Sequence, residues 1–489
     1  MAGSAIQDPL RARPHGVGQL IAWCAVLILS VACSRADADF MSALKAYEAQ
    51  DFATAHTGFL ELAELGDGAS QFNLGAMALR GDGIPKDMGV AAGWLQAAKQ
   101  NGYSPNPEIL VRILKQLTAE QQDAANAIVA RYGRAALLET VLPKHGSESC
   151  PGWEAASSDF IAEPNYPMDA RRSSQDGVVV VAFTVGFDGM ARDPQIVGSE
   201  PSEVFDAAAV NAILLSRFRP ARYQGAPTER RHLLKLAFSI SNDKGVLWDL
   251  PSFQRVRTSA DAGHPRAQYL VGLAAWLDSS LGIAHDQARQ MILSSAQGGE
   301  PRAQYWIATF GLTECEAAEK TQHWLEHSAR GGEPAARLEL ARRILHGTAG
   351  PADLERAQQL LEGVADTRDG YVLKHAVAIA AGVSGAEFRS PALSRKLAKR
   401  LDDTVETLDP QREEALAAAS ALAGDFGKAE KLQSRALNKA TQLHWNAALI
   451  EERLATYRSR QAWSGDLFLI PGATLPPSPP QASPTPEPR

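Results

Sequence analysis

The sequence predicts a multidomain chain, α + (α+β), in which α-solenoid repeats flank a small domain of a three-stranded antiparallel sheet and two helices. Two observations carry this. Gly263-His264-Pro265-Arg266-Ala267-Gln268-Tyr269 recurs as Gly299-Glu300-Pro301-Arg302-Ala303-Gln304-Tyr305, 36 residues on, and Gly332-Glu333-Pro334-Ala335-Ala336-Arg337-Leu338 follows after 33 more. A helical pattern at that period marks stacked helix pairs. Between the first helical block and this one, residues 164–240 change to short β-branched runs separated by turn residues.

The 489 residues call for more than one domain, and a 45% hydrophobic content supplies several cores. A net charge of −7 implies neither nucleic acid nor an anionic surface as partner. Arg11 and Arg13 precede the apolar run from Leu20 to Cys33, and Ala36-Asp37-Ala38 follows as a small-residue cleavage signal. As a helix those 14 residues would span about 21 Å, short of a hydrocarbon core of roughly 30 Å. Residues 1–38 are therefore expected to be a signal peptide for export. An inner-membrane anchor ranks second. Third is a lipoprotein at Cys33, because Ser30 stands where the lipoprotein box usually has leucine. After cleavage Cys150 and Cys315 remain, in different predicted domains, and two unpaired thiols are expected rather than a disulfide.

Residues 39–145 show a helical pattern with small residues at packing positions: Ala69, Leu74, Gly75, Gly81-Asp82-Gly83, Asp87, Ala92, Trp94, Leu95, Ala97-Ala98 and Gly102. This unit resembles the Sel-one-like repeat, a relative of the tetratricopeptide repeat. Residues 244–366 hold the three copies quoted above, with prolines at helix starts and glycines just past helix ends. In residues 367–465, Gly424-Asp425-Phe426-Gly427-Lys428-Ala429 with Ala436 resembles a tetratricopeptide helix pair, followed by an amphipathic stretch through Tyr457. Residues 466–489 are a solvated tail, since eight of the 19 residues from Pro471 onward are proline.

The small domain occupies residues 146–243. Pro164 to Ala170 is a proline-punctuated lead into a short helix. Gly177-Val178-Val179-Val180-Val181-Ala182-Phe183-Thr184-Val185 is a strand, Phe187-Asp188-Gly189 a hairpin turn, and a second run ends at Gln195-Ile196-Val197-Gly198-Ser199. Phe205 to Ala212 is helical, and Phe218-Arg219-Pro220-Ala221 ends that helix. Gly225-Ala226-Pro227 turns the chain into a last strand, in which Leu234, Leu236, Phe238 and Ile240 alternate with polar neighbours.

This segment resembles the C-terminal domain of the TonB family. The matching residues are Tyr166-Pro167 with Ala170, Gly177-Val178, Asp188-Gly189, Ile196-Val197-Gly198-Ser199, Asp206-Ala207-Ala208, Phe218-Arg219-Pro220-Ala221 and Gly225. The resemblance implies a non-enzymatic, periplasmic binding domain in the service of energy-coupled outer-membrane transport. It also implies that the last strand is an edge to which an outer-membrane receptor's N-terminal segment adds by β-augmentation. With Leu234, Leu236, Phe238 and Ile240 inward, Arg231, Leu233, Lys235 and Ala237 are the outward, partner-facing set. The loop carrying Asp169, Arg171, Arg172 and Gln175 is a second contact by the same analogy. Full energy transducers have a membrane helix, then a proline-rich rod, then this domain at the chain's end. Here the domain is mid-chain and repeats replace the rod. A non-transducing periplasmic scaffold for envelope or cell-wall assembly is thus the alternative, and in both readings the repeats bind other envelope proteins.

No G-x-S-x-G elbow, P-loop or dinucleotide fingerprint occurs. His323-Trp324-Leu325-Glu326-His327 has the H-x-x-E-H spacing of inverted zinc peptidases. Its register within a repeat instead predicts two ordinary surface histidines, and no third ligand is identifiable. Glu413-Glu414 and Glu451-Glu452 are expected on solvated helix faces. No catalytic residue, cofactor or metal is expected.

Overall fold

The computed structural model describes residues 40–143, 152–239, 251–277, 281–311, 318–346, 351–382 and 390–468. The expected signal peptide with Cys33, the residues Cys150, Ile240 and Cys315, and the tail beyond Phe468 lie outside them; the start of the expected tail is not solvated, since Leu467, 2% exposed, packs with Ala378, Ala381 and Ala418. Seven helices come first: α1 (Phe40–Glu48), α2 (Phe52–Ala63), α3 (Gly68–Arg80), α4 (Met88–Gln100), α5 (Pro107–Leu114), α6 (Ala119–Tyr132) and α7 (Arg134–Thr140). The small domain follows as β1 (Trp153–Glu154), β2 (Ser157–Phe160), α8 (Met168–Arg172), β3 (Gly177–Val185), β4 (Ala191–Glu200), α9 (Asp206–Leu215), β5 (Arg217–Arg219), β6 (Ala221–Tyr223), β7 (Ala226–Thr228) and β8 (Arg230–Phe238). Then come α10 (Pro251–Asp261), α11 (Pro265–Leu277), α12 (His285–Gln297), α13 (Pro301–Trp306) with a π-helical turn (Ile307–Gly311), α14 (Ala318–Arg330), α15 (Pro334–His346) and α16 (Pro351–Glu362). The last helices are α17 (Gly370–Gly382), α18 (Pro391–Asp402), α19 (Pro410–Leu422), α20 (Phe426–Gln442) and α21 (Ala448–Arg458).

The repeated residues do the physical work that their types suggest. Pro265, Pro301 and Pro334 each open a helix, where the missing N–H has no intrahelical partner to lose. Gly263, Gly299 and Gly332 adopt φ of +86°, +96° and +91°, the left-handed geometry that closes the preceding helix. A third device ties three of the helix pairs: the side-chain nitrogen of Gln71, Gln304 and Arg337 donates to the carbonyl eight residues back, at Ala63, Ala296 and Ala329. The stretch after Phe426 breaks into α20 and α21, joined through Trp445.

The helices before and after the small domain form one array. Lys320 of α14, 1% exposed, donates from Nζ to the carbonyls of Leu138 (2.7 Å) and Leu142 (2.8 Å), and Trp324 donates from Nε1 to that of Val141. These are carbonyls at the C-terminal end of α7, where a helix leaves acceptors unsatisfied and favours a cation. Gln297 likewise donates to Leu65 and Gly66.

The principal sheet has the order β4-β3-β8, antiparallel throughout. On one face Val179, Val181, Phe183 and Val185 join Phe205, Ala209, Ile213, Leu236 and Phe238 in the domain's own core. On the other, Val180, Ala182 and Val197 join the core of the array with Tyr269, Leu273 and Trp306. Two small sheets, β1-β6-β7 and β2-β5, were not expected. Phe218 and Arg219, read as a helix end, lie in β5, because α9 stops at Leu215 and the chain turns straight into pairing with β2.

Two further expectations need correction. Glu413 and Glu414 are buried, 0% and 3% exposed, because cations arrive from other helices. Lys439 Nζ reaches Glu413 Oε2 at 2.9 Å, and Arg453 Nη1 reaches Glu414 Oε1 at 2.6 Å. Glu451 and Glu452 are exposed, as expected. His327 is 8% exposed and His323 is half-buried, with its Nε2 shut off from solvent and without a partner among the described residues, so neither is the freely exposed surface histidine expected.

Candidate interaction site

β8 is made by alternation. Leu236 and Phe238 are buried in the domain core, Leu234 packs against it, and Phe238 stacks on Phe205 with ring centroids 4.5 Å apart. All nine residues of β8 pair with β3, from Gly177 opposite Phe238 to Val185 opposite Arg230. Among the described residues no strand pairs with its other edge. An edge strand of this kind offers backbone N–H and C=O groups for pairing.

The outward set splits in two. Ala237 is exposed and Lys235 half-buried. Arg231 and Leu233 do point away from the domain core, but into the array rather than into solvent. Leu233 packs against the array's core. Arg231 donates from Nη1 to Tyr371 Oη (3.1 Å) and from Nη2 to Gln195 Oε1 (2.7 Å), and its guanidinium lies 5.5 Å from the Phe310 ring centroid. Burial works against its charge, yet Tyr371, Tyr305 and Asp193 hold it firmly protonated.

Beside it sits a buried charge cluster that the sequence reading missed. The β3–β4 register slips between Ala182 and Thr184, and Asp193 lies in that slip at φ +55°. The bulge aims its carboxylate at α17. Asp193 Oδ1 meets His375 Nε2 at 2.6 Å and Lys374 Nζ at 3.0 Å. Lys374 Nζ also donates to Asp409 Oδ2 (2.6 Å) and Gln411 Oε1 (2.7 Å). Burial alone would raise the Asp193 pKa, but His375 and Lys374 hold it well below the usual carboxylate range. Burial lowers that of His375, with Asp193 opposing; since a carboxylate only accepts, His375 is the donor in this pair. One signal was present in the sequence. The unbroken apolar run of β3 lacks the alternation of a one-sided strand, and continuous runs belong to strands covered on both faces.

A second junction lies behind α9, where Asn211 Oδ1 accepts from the backbone N–H of Leu408 (2.8 Å) and Leu214 packs with Ala436, Ala440, Leu443 and Trp445. Asp169, Arg171 and Arg172 stand exposed on the single turn of α8; Gln175 is half-buried and its carbonyl accepts from Tyr166 Oη. The His323 and His327 rings lie 4.7 Å apart, and burial with Arg330 nearby pushes the His327 pKa down to about 3. Among the described residues no three His, Cys, Asp or Glu side chains gather as a metal site. Nor is any described helix long and apolar enough to cross a membrane.

Residues 162–240 match the family described as Gram-negative bacterial TonB protein C-terminal. Domains of that family belong to the Gram-negative cell envelope and act on protein partners. The matched segment makes up a minor part of the chain, and the helical array accounts for most of the rest. No curated protein matches the chain.

Proposed function

We propose that this is a periplasm-facing protein of TonB type whose small domain captures partner segments by strand addition to β8. The observation that carries the reading is the edge itself: among the described residues β8 pairs with β3 alone, within a segment that matches the TonB C-terminal domain. An unpaired edge gives affinity through backbone hydrogen bonds and selectivity through alternate side chains. The partners are N-terminal segments of outer-membrane receptors, the process served is energy-coupled transport across the outer membrane, and the exposed turn at Asp169, Arg171 and Arg172, with Gln175, is a second contact. The rest of the array is left for other envelope proteins.

The test uses the full chain, because an isolated domain would expose Val180, Ala182 and Val197, which the array now covers. Peptides copied from receptor N-termini of the same organism should slow amide hydrogen exchange across β8. Saturating peptide that leaves β8 exchange unchanged overturns the proposal.

One observation favours a second reading, a non-transducing periplasmic scaffold in which the repeats carry the function. A domain that must reach out to a receptor is expected to be mobile, and this one is held through Asp193, Arg231 and Asn211. Membrane behaviour separates the two. A transducer keeps residues 1–38 and resists alkaline carbonate extraction, whereas a soluble scaffold is released with a chain starting near Asp39.

A further inference from the structure

We infer that a polar cleft between β4 and the helical array binds a free, small α-amino acid, its ammonium held by Glu333 and Asp369 and its carboxylate by Arg302. The cleft lies at the opposite edge of the principal sheet from β8 and does not depend on strand addition. Gln195 and Val197 of β4 line one side, Arg302 and Tyr305 of α13 another, and Glu333 and Asp369, just ahead of α15 and α17, the rest. The β4 side is already fixed. Gln195 Oε1 accepts from Arg231 Nη2 and Tyr305 Oη, and the Val197 carbonyl accepts from Tyr269 Oη (2.8 Å), which closes this edge to a further strand at that point.

The remaining groups are charged and incompletely used. Each carboxylate spends one oxygen on its own helix. Glu333 Oε1 accepts from the N–H of Ala335 (3.2 Å), and Asp369 Oδ1 from those of Tyr371 (2.9 Å) and Val372 (3.3 Å). Among the described residues the second oxygen of each has no hydrogen-bond partner, and Glu333 Oε2 meets Arg302 only at 4.0 Å, through Nε. Arg302 keeps half of its side chain exposed, and among the described residues its two Nη groups have no partner either. Acceptors for an ammonium and a two-pronged donor for a carboxylate therefore share one cleft. Burial pushes the Glu333 pKa up to about 7, with Arg302 opposing and Asp369 and Glu300 adding to the rise, and it raises that of Asp369 as well. A bound ammonium would relieve both.

Size narrows the class. The cleft holds about 80 Å³. One water needs about 10–15 Å³, so there is room for on the order of five to eight non-hydrogen atoms. Glycine, alanine and serine fall within that limit, and leucine does not. A peptide terminus carries only one of the two charges, so the free amino acid alone satisfies both sides.

The experiment is calorimetric titration of the full chain with alanine, and with ethylamine, acetate and leucine as controls. Alanine should bind at least about tenfold more tightly than any control. Because the ammonium needs Glu333 ionised, alanine affinity should fall about tenfold from pH 8 to pH 6. Glu333→Gln, which sheds a buried charge and so keeps the fold, should weaken alanine about tenfold and abolish that pH dependence. Arg302→Met should bring alanine down to the affinity of ethylamine and leave ethylamine unchanged. Amide exchange gives the place: alanine should slow it at 195–197 and in the first turn of α17. Ethylamine binding as tightly as alanine, or alanine affinity untouched by both substitutions, overturns the inference. So does millimolar alanine that gives neither heat nor protection at those amides.

Discussion

Replacing Asp193 with asparagine tests whether the small domain and the helical array are one folding unit. Asp193 holds φ +55° within the β4 bulge, a backbone geometry that asparagine shares at little cost. The substitution therefore removes charge and leaves shape. A hydrogen bond to a charged group contributes about 1.5–3 kcal/mol, and removing one member of a buried ion pair costs about 3–5 kcal/mol. The upper range does not apply, because Lys374 keeps Asp409 at 2.6 Å and Gln411 at 2.7 Å. The asparagine carbonyl also still accepts from His375. The expected loss is about 2 kcal/mol. Urea denaturation of the full chain measures it, and amide exchange resolved by segment locates it. Protection should fall together in β3, β4 and α17. A loss under about 0.5 kcal/mol, or a change confined to β4 while α17 exchanges as before, would refute the coupling.

Lys320→Met should cost about 2–3 kcal/mol and speed amide exchange in α7, since it strips the buried ammonium from the carbonyls of Leu138 and Leu142. Gly83→Ala should destabilise the first helices by about 2 kcal/mol in thermal unfolding, because Gly83 sits at φ +69° and a Cβ there would lie 2.4 Å from that of Phe52. Glu333 gives a pH signature: burial pushes its pKa up to about 7, so between the unfolded value, about 4.3, and 7 the native state binds more protons and stability falls as pH rises. Glu333→Gln lacks that term, so its stability advantage over the native chain should grow by up to about 3 kcal/mol from pH 5 to pH 8, read from paired urea titrations.

The repeats were legible because their constraints are local. A proline at a helix start and a glycine at φ near +90° are satisfied within a few residues and recur with the period. The hairpin was legible for the same reason: Gly189 takes φ +74° where Asp188-Gly189 turns the chain. What was not legible is contact between distant residues. Asp193 and His375 are 182 apart in sequence, and Arg231 and Tyr371 are 140 apart, so neither pair leaves a periodic trace. Charge patterning misled at Glu413-Glu414 for this reason: two acids on a helix look solvated unless their cations, Lys439 and Arg453, are already known to arrive from other helices.

The same non-locality divides the candidate site. Alternation along β8 separates inward from outward side chains, but outward means solvent only if nothing covers the second face. The apolar run of β3 is the one local sign that something does, since Val180 and Ala182 are as buried as Val179 and Val181. Covering that face takes Arg231 and Leu233 into the array and leaves Ala237 outside it. The backbone edge, which needs no side chains, is unaffected. The side-chain face that the small domain alone would offer is therefore covered at Arg231 and Leu233 by the same helices that hold the domain in place.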